Sequence, residues 1–256
     1  MLNINTKQLL GILAAFAISA ASALAQSESE IQAGPPPKDL PSVPAWGFLG
    51  KPETWLVWHN GNVQISQKGS IDVVFIGDSL TWGWTNTGKA TWEKEFVPMR
   101  SVNYGIGGDS TRQVLWRLGH GTIDGIKPAA KVLVLMIGTN NLYNDYNSGS
   151  NEEIAEGTKK IIELVQEKSP DTKILLLSML PRQNKYFCDR VAAINGILST
   201  FSSPDKVKYL NVGGDFADEN GNVNKDFFTA DLIHLSSKGY EHLATLVKPA
   251  IEELLR

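Results

Sequence analysis

Two short motifs far apart in the chain could together carry out nucleophilic catalysis. Ser79 follows a short apolar run that ends at Gly77, and His234 follows Asp231 by three residues near the C-terminus. A histidine is the usual general base near neutral pH, and a nearby carboxylate can orient it through Nδ1. Each motif alone is also ordinary turn chemistry. Taken together, they predict a serine nucleophile, a base and an orienting acid.

Two further residues could stabilise the negative charge that develops when a serine attacks a carbonyl carbon. Asn140 follows another apolar run, and its side-chain amide can donate to an oxyanion. Gly108 lies in a glycine-rich turn, where the missing Cβ allows a backbone N–H to point into a site. Because no Gly-x-Ser-x-Gly motif surrounds Ser79, the arrangement of α/β-hydrolases is not expected.

Five apolar runs predict the strands that must position these residues. They lie at 71–76, 101–104, 131–137, 173–179 and 207–212. Runs without polar alternation are typical of strands that are covered on both faces. Helical patterns follow at 152–168, 190–201 and 237–255, with a capping box at Ser150 and Glu153 and a cap at Ser236 or Ser237. The pattern predicts an α/β fold, a flavodoxin-like three-layer α/β/α sandwich with about five parallel strands.

The first three strands are each predicted to end in a glycine-containing turn. These turns lie at 77–79, 105–109 and 138–141. In folds of this type the site lies at the carboxyl ends of the strands, which form one edge of the sheet. We therefore expect Ser79, Gly108 and Asn140 to meet on one rim.

The composition excludes several other classes of protein. The 256 residues include 24 Lys+Arg and 27 Asp+Glu, a net charge of −3, and 42% are hydrophobic. This is globular composition, and the lack of a basic run argues against nucleic-acid binding. One cysteine, Cys188, which we interpret as inert, excludes an intramolecular disulfide and a cysteine-rich metal site. No pair of the four histidines has metal-ligand spacing, so we expect no metal and no cofactor.

The first 45 residues are predicted to lie outside the packed domain. Lys7, an apolar stretch at 9–21 and a small-residue site predict a signal peptide over 1–25, cleaved after Ala25. An uncleaved anchor is the alternative, although the stretch is short for a membrane span. The proline-rich residues 26–45 predict a linker, which leaves 46–256 as the domain. We expect a secreted or periplasmic protein with no stable membrane span.

Four motif blocks in this order resemble the SGNH (GDSL) hydrolase family. They lie at 77–80, 105–109, 138–141 and 231–234. Within the family, the chain is most similar to the catalytic subunits of intracellular platelet-activating-factor acetylhydrolase, through further likeness at 103–118, 180–182 and 231–235. The resemblance covers about residues 53–255. It implies a serine esterase that uses neither a metal nor an organic cofactor.

The resemblance also implies a role for each motif residue. Ser79 would be the nucleophile, His234 the base and Asp231 its orienting acid. The oxyanion hole would consist of the Ser79 N–H, the Gly108 N–H and the Asn140 amide. The side chains that would close the acyl pocket around a group little larger than methyl are Leu80, Thr139 and Ile233.

We therefore expect an exported serine esterase for short-chain esters, above all acetyl esters, of a small-molecule or glycan substrate. A lysophospholipase or thioesterase is the enzymatic alternative, and a non-catalytic carbohydrate-binding scaffold is the alternative from another class. The related subunits are cytosolic, so the export signal leaves the natural alcohol open. Those subunits dimerise, which leaves a homodimer open here, since the sequence reveals no interface.

Several other residues near the motifs have more than one interpretation. Trp82 and Trp84 either pack the core beneath the helix after the serine or form an aromatic wall beside the leaving group. Asp78 and Asp109 are expected to brace the glycine turns rather than to react. Arg182 is expected to be a structural or rim charge.

Overall fold

The computed structural model describes residues 41–42, 44–45, 52–142 and 149–256. The predicted signal peptide and residues 26–40 of the predicted linker lie outside the described residues. Across the described part of the chain, every helix is too short or too polar to cross a lipid bilayer.

A single sheet of parallel strands forms the centre of the described fold. The strands are β1 (Val73–Gly77), β2 (Ser101–Asn103), β3 (Val132–Met136), β4 (Lys173–Leu177) and β5 (Val207–Leu210). They pair in the order β2-β1-β3-β4-β5, and all pairings are parallel. This is the flavodoxin-like doubly wound order, so the predicted fold class is confirmed. Each strand lies within one of the predicted runs or extends it by one residue.

Helices surround this sheet. They are α1 (Pro52–Ser66), α2 (Ser79–Trp82), α3 (Lys89–Glu95), α4 (Thr111–Gly119), α5 (Asn151–Lys168), α6 (Lys185–Leu198) and α7 (Ser237–Leu254). The capping box at Ser150 and the cap at Ser236 are confirmed. Helix α6 begins five residues before the predicted start, because the Asn184 side chain caps it.

Both faces of the sheet are covered, as the unbroken apolar runs predict. In β1, Val74 and Ile76 point into a core shared with α4, α5 and α6, while Val73 and Phe75 point into a second core that contains α7. The alternation of strand side chains places these two cores on opposite faces. The result is the predicted three-layer sandwich.

The last described residues of the predicted linker touch the domain. The Pro41 carbonyl accepts a hydrogen bond of 2.6 Å from Thr111 Oγ1, and the Ala45 N–H donates to the Arg112 carbonyl at 3.2 Å. A Cβ on Gly157 of α5 would lie only 2.5 Å from the Pro41 carbonyl oxygen. This part of the chain therefore lies directly against the α4 and α5 layer.

Candidate active site

Ser79, His234 and Asp231 form a continuous hydrogen-bonded chain at the carboxyl edge of the sheet. Ser79 Oγ lies 2.9 Å from His234 Nε2, and His234 Nδ1 lies 2.6 Å from Asp231 Oδ2. An ionised carboxylate can only accept, so Nδ1 carries the proton and Nε2 is the acceptor that faces the serine. This is the geometry by which a serine hydroxyl is activated in serine hydrolases.

The position of Ser79 follows from the turn between β1 and α2. Asp78 caps α2, and one of its carboxylate oxygens accepts from the Leu80 N–H at 2.8 Å. A Cβ on Gly77 would lie 2.3 Å from both the Met136 carbonyl oxygen and Thr81 Oγ1, so only glycine fits there. Ser79 is therefore the first residue of α2, where a backbone N–H has no acceptor within the helix.

Asp231 holds both the imidazole and its own loop. Its Oδ1 accepts hydrogen bonds from the backbone N–H groups of Ile233 and His234, at 2.9 and 3.0 Å, and from Thr229 Oγ1 at 2.8 Å. Desolvation raises the pKa of this carboxyl, but the hydrogen bonds from His234, Ile233 and Thr229 together lower it well below its usual range. Asp231 therefore stays ionised and can stabilise a protonated histidine.

The glycine-rich turn after β2 lies beside Ser79. The Asp109 N–H donates to the Ile106 carbonyl at 3.2 Å, which closes a turn over residues 106–109. Gly108 stands third in this turn with φ of +85°, a conformation that favours glycine. A Cβ on Gly107 would lie 3.9 Å from Ser79 Cβ, so the turn and the serine are neighbours.

Asn140 is joined to the same turn. Its Nδ2 donates to the Asp109 carbonyl at 2.9 Å, and an amide nitrogen carries a second proton that can serve an oxyanion. The next residue, Asn141, is buried and bonds both the Thr111 N–H and Thr111 Oγ1, at 3.1 and 3.0 Å. The loop after β3 is thereby fixed to the start of α4.

The two aspartates expected to brace the turns do so. Asp78 caps α2, and Asp109 lies 2.7 Å from the Arg117 guanidinium in a fully buried ion pair. Burial raises the pKa of Asp78 to about 7. Burial also raises the pKa of Asp109 to about 6, and the Arg117 charge opposes this shift.

Arg182 is buried rather than placed on the rim. One guanidinium nitrogen donates to the Thr139 carbonyl at 2.5 Å, and the other donates to Gln183 Oε1 at 3.0 Å. The Gln183 N–H in turn donates to the Leu232 carbonyl at 2.8 Å. The structural interpretation of Arg182 is therefore confirmed, since it links the loop of Asn140 to the loop of His234.

The three side chains expected around the acyl group differ in their surroundings. Leu80 is 2% exposed and lies in the core cluster that contains Trp84 and Tyr240. Thr139 is 4% exposed, whereas Ile233 is partly exposed beside the base.

The two tryptophans after the serine have different environments. Trp84 is 1% exposed and packs against Phe75, Phe96 and Tyr240, so the core interpretation holds for it. Trp82, one helical turn after Ser79, is 44% exposed. Trp82 is therefore the one of the pair that a bound molecule could reach.

Cys188 is buried, and its Sγ donates to the Arg182 carbonyl at 3.5 Å, in keeping with an inert thiol. Within the described ranges, no group of three or more His, Cys, Asp or Glu side chains is arranged to hold a metal ion.

The fold and the residue chain at its rim are those of an ester-hydrolysing enzyme. The sequence matches the profile of the GDSL-like lipase/acylhydrolase family over residues 75–242, and the chain belongs to this family. The resemblance drawn from the motifs is thus confirmed.

Among its relatives, the human platelet-activating factor acetylhydrolase IB subunit alpha2 is 35% identical over 208 residues, which cover 79% of this chain and 86% of the relative. A GDSL-like lipase from Bacteroides thetaiotaomicron has a similar fold, with a TM-score of 0.64 at 20% identity over 77% of this chain and 97% of that one. An acetylxylan esterase from Geobacillus stearothermophilus shares the fold with a TM-score of 0.54 at 17% identity over 72% and 96% of the two chains.

Some residues that support the site were not predicted from the sequence. Arg117 donates to the carbonyls of Gly77 and Tyr104, at 3.2 and 2.7 Å, and so holds the ends of β1 and β2. Trp55 donates to Asp109 across 54 positions of sequence. A signal for Arg117 existed, since it is an arginine among the apolar residues at 114–118.

Proposed function

We propose that this protein hydrolyses short-chain esters, above all acetyl esters, through an acyl-enzyme on Ser79. Ser79 Oγ attacks the ester carbonyl carbon while His234 Nε2 takes its proton. The Ser79 N–H, the Gly108 N–H and the Asn140 amide stabilise the oxyanion. The alcohol leaves with the proton from His234, and water then cleaves the acyl-enzyme with His234 again as base.

The observation that carries this proposal is the unbroken chain from serine to carboxylate. The distances of 2.9 Å from Ser79 to His234 and 2.6 Å from His234 to Asp231 support proton transfer from the serine to the histidine. The low pKa of Asp231 keeps a negative charge beside the imidazolium that forms.

A small acyl group is supported by the burial of two residues next to the reacting atoms. Leu80 and Thr139 are almost fully buried, so a long acyl chain beneath Ser79 would have to displace packed side chains. The 35% identical human relative is itself named an acetylhydrolase. Displacement costs of about 1–3 kcal/mol correspond to roughly 5- to 150-fold in kcat/KM.

Hydrolysis of p-nitrophenyl acetate, butyrate and octanoate tests this proposal. We expect kcat/KM to fall as the acyl chain lengthens. A rise with chain length would favour the alternative of a lysophospholipase or thioesterase. Ser79→Ala should abolish activity without unfolding the protein. Ser237→Ala, which changes an exposed serine at the start of α7, is the matched control and should retain full activity.

For the alcohol part of the ester, we propose a carbohydrate. Trp82 is exposed one turn from Ser79, and an indole face packs well against an apolar sugar face. Acetate release from acetylated xylan, compared with release from an acetylated phospholipid, separates this proposal from a lipid substrate such as the one in the human relative's name. Trp82→Ala should raise KM for acetylated xylan, whereas Trp58→Ala, at an equally exposed tryptophan of α1, should not.

Export is proposed from the N-terminal sequence alone, which lies outside the described residues. Expression of the full chain in a bacterium with a secretion system should yield a protein that begins at Gln26, as determined by N-terminal sequencing of the extracytoplasmic fraction. Recovery of the unprocessed chain in the cytoplasm would contradict the proposal.

A further inference from the structure

The first helix reaches the turn that carries Gly108. Trp55 of α1 is 1% exposed, and its indole Nε1–H donates to Asp109 Oδ1 at 2.6 Å. The same ring shares a small apolar cluster with Ile106 and Trp116, and its centroid lies 5.3 Å from that of Trp116. Ile106 and Asp109 are the two ends of the turn, so one side chain holds both of them.

Asp109 bonds residues from three parts of the fold, namely α1, α4 and the loop after β3. Its Oδ1 accepts from Trp55, its Oδ2 lies 2.7 Å from Arg117, and its main-chain carbonyl accepts from Asn140 at 2.9 Å. Arg117 also bonds the carbonyl of Gly77, two residues before Ser79. A shift of Asp109 would therefore move the Gly108 N–H and the Asn140 amide together.

We propose that Trp55 is a positioning residue for ester hydrolysis, which holds Asp109 so that the Gly108 N–H and the Asn140 amide keep their aim at the oxyanion. The proposal rests on the proposed function, since it takes these two groups as oxyanion donors. Oxyanion stabilisation depends on donors that are fixed before the reaction, and small displacements of reacting groups are costly.

Helix α1 lies outside the residues that match the family profile, which begin at residue 75. Through the contacts of Trp55, this helix contributes to the positioning of the proposed oxyanion donors. A chain shortened to the matched residues would lose the donor to Asp109 and expose the cluster of Ile106 and Trp116.

Trp55→Phe tests the proposal, because phenylalanine retains an aromatic ring against Ile106 and Trp116 but lacks the N–H. We expect kcat for p-nitrophenyl acetate to fall about 10- to 100-fold with little change in KM, measured well below the melting temperature. Trp58→Phe, one turn further along α1 and 45% exposed, is the matched control and should leave both constants unchanged.

A purely structural role for Trp55 would lower Tm while leaving kcat of the folded protein intact. Retention of kcat within about twofold would overturn the proposal. If Trp55→Phe does not fold, incorporation of benzothienylalanine at position 55 keeps the shape of the ring and removes only the donor.

Two further variants separate this proposal from the proposed function. The double variant Trp55→Phe, Asn140→Ala should show a smaller fold-reduction in kcat than the product of the two single reductions, because both changes act on the same donors. A fold-reduction equal to that product would mean that Trp55 acts on groups other than these donors. If Ser79→Ala remained active, the proposed function would fail whatever the Trp55 result.

Discussion

The hydroxyl of Tyr240 donates a hydrogen bond of 2.8 Å to the carbonyl of Leu80. The bond joins the last helix, α7, to the four-residue helix that carries Ser79. A Cβ on Gly83 would lie 2.0 Å from the Tyr240 oxygen, so glycine at the end of α2 makes room for this contact. The helix of Ser79 is thus held from the core side by a residue 160 positions after Leu80 in the chain.

Tyr240→Phe should destabilise the fold by about 1 kcal/mol, because the buried hydrogen bond to the Leu80 carbonyl is lost while the ring remains. Chemical denaturation gives the free energy of unfolding. Tyr186→Phe is the control, since that tyrosine is 64% exposed and its change should have no measurable effect. Equal stabilities of the two variants would show that the Tyr240 bond contributes nothing.

Two glycines of the loop after β2 should respond differently to alanine. A Cβ on Gly105 would lie 2.2 Å from the Trp82 backbone nitrogen, so Gly105→Ala must displace backbone and should lower Tm sharply. A Cβ on Gly107 would make only an ordinary contact with Ser79 Cβ at 3.9 Å, and Gly107→Ala should melt near the wild-type temperature. Similar melting temperatures for both variants would contradict the close approach of the loop to α2.

Asn140→Ala removes one oxyanion donor and should lower kcat by about 10²- to 10³-fold, with a smaller effect on KM. Steady-state kinetics with p-nitrophenyl acetate provide both constants. A change confined to KM would mean that Asn140 binds the substrate in its ground state. The melting temperature of the variant must be measured as well, because Asn140 also bonds the Asp109 carbonyl.

The buried carboxyl of Asp78 should make the stability of the fold depend on pH. Its pKa is raised by burial from 3.8 to about 7, so the folded state binds this proton more tightly than the unfolded state. The stability that this difference contributes is fully present below the unfolded pKa and is lost as the pH rises through about 7.

Asp78→Asn should therefore be more stable, relative to wild type, at pH 8 than at pH 4. Asparagine keeps an oxygen that can accept from the Leu80 N–H and carries no charge. Denaturation at pH 4, 6 and 8 measures the effect, with Asp171→Asn as the control at an exposed aspartate. A stability difference from wild type that does not change with pH would rule out this titration.

The sequence predicted the sheet and the meeting of the motif residues at its edge, because both depend on local patterns. Strands buried on both faces leave unbroken apolar runs, and the motifs around Ser79, Gly108 and Asn140 directly follow them. Helix α4 was not predicted, and all its residues from Thr111 to Leu118 are buried, including Arg112 and Arg117, which follows from tertiary packing. The bond from Trp55 to Asp109 depends on tertiary packing, which local patterns do not encode.

His234 and Asp231, the proposed base and its orienting acid, lie at an open edge of the described fold. The side chains of His234 and Asp231 are 45% and 46% exposed. Because this edge is open, a polymeric substrate could bind along it, and an ester group within the polymer would reach Ser79 as readily as one at the end of the polymer. On the acetylated polysaccharide proposed as substrate, the enzyme would need no free chain end to begin, so internal acetyl groups would be removed before the backbone is cut.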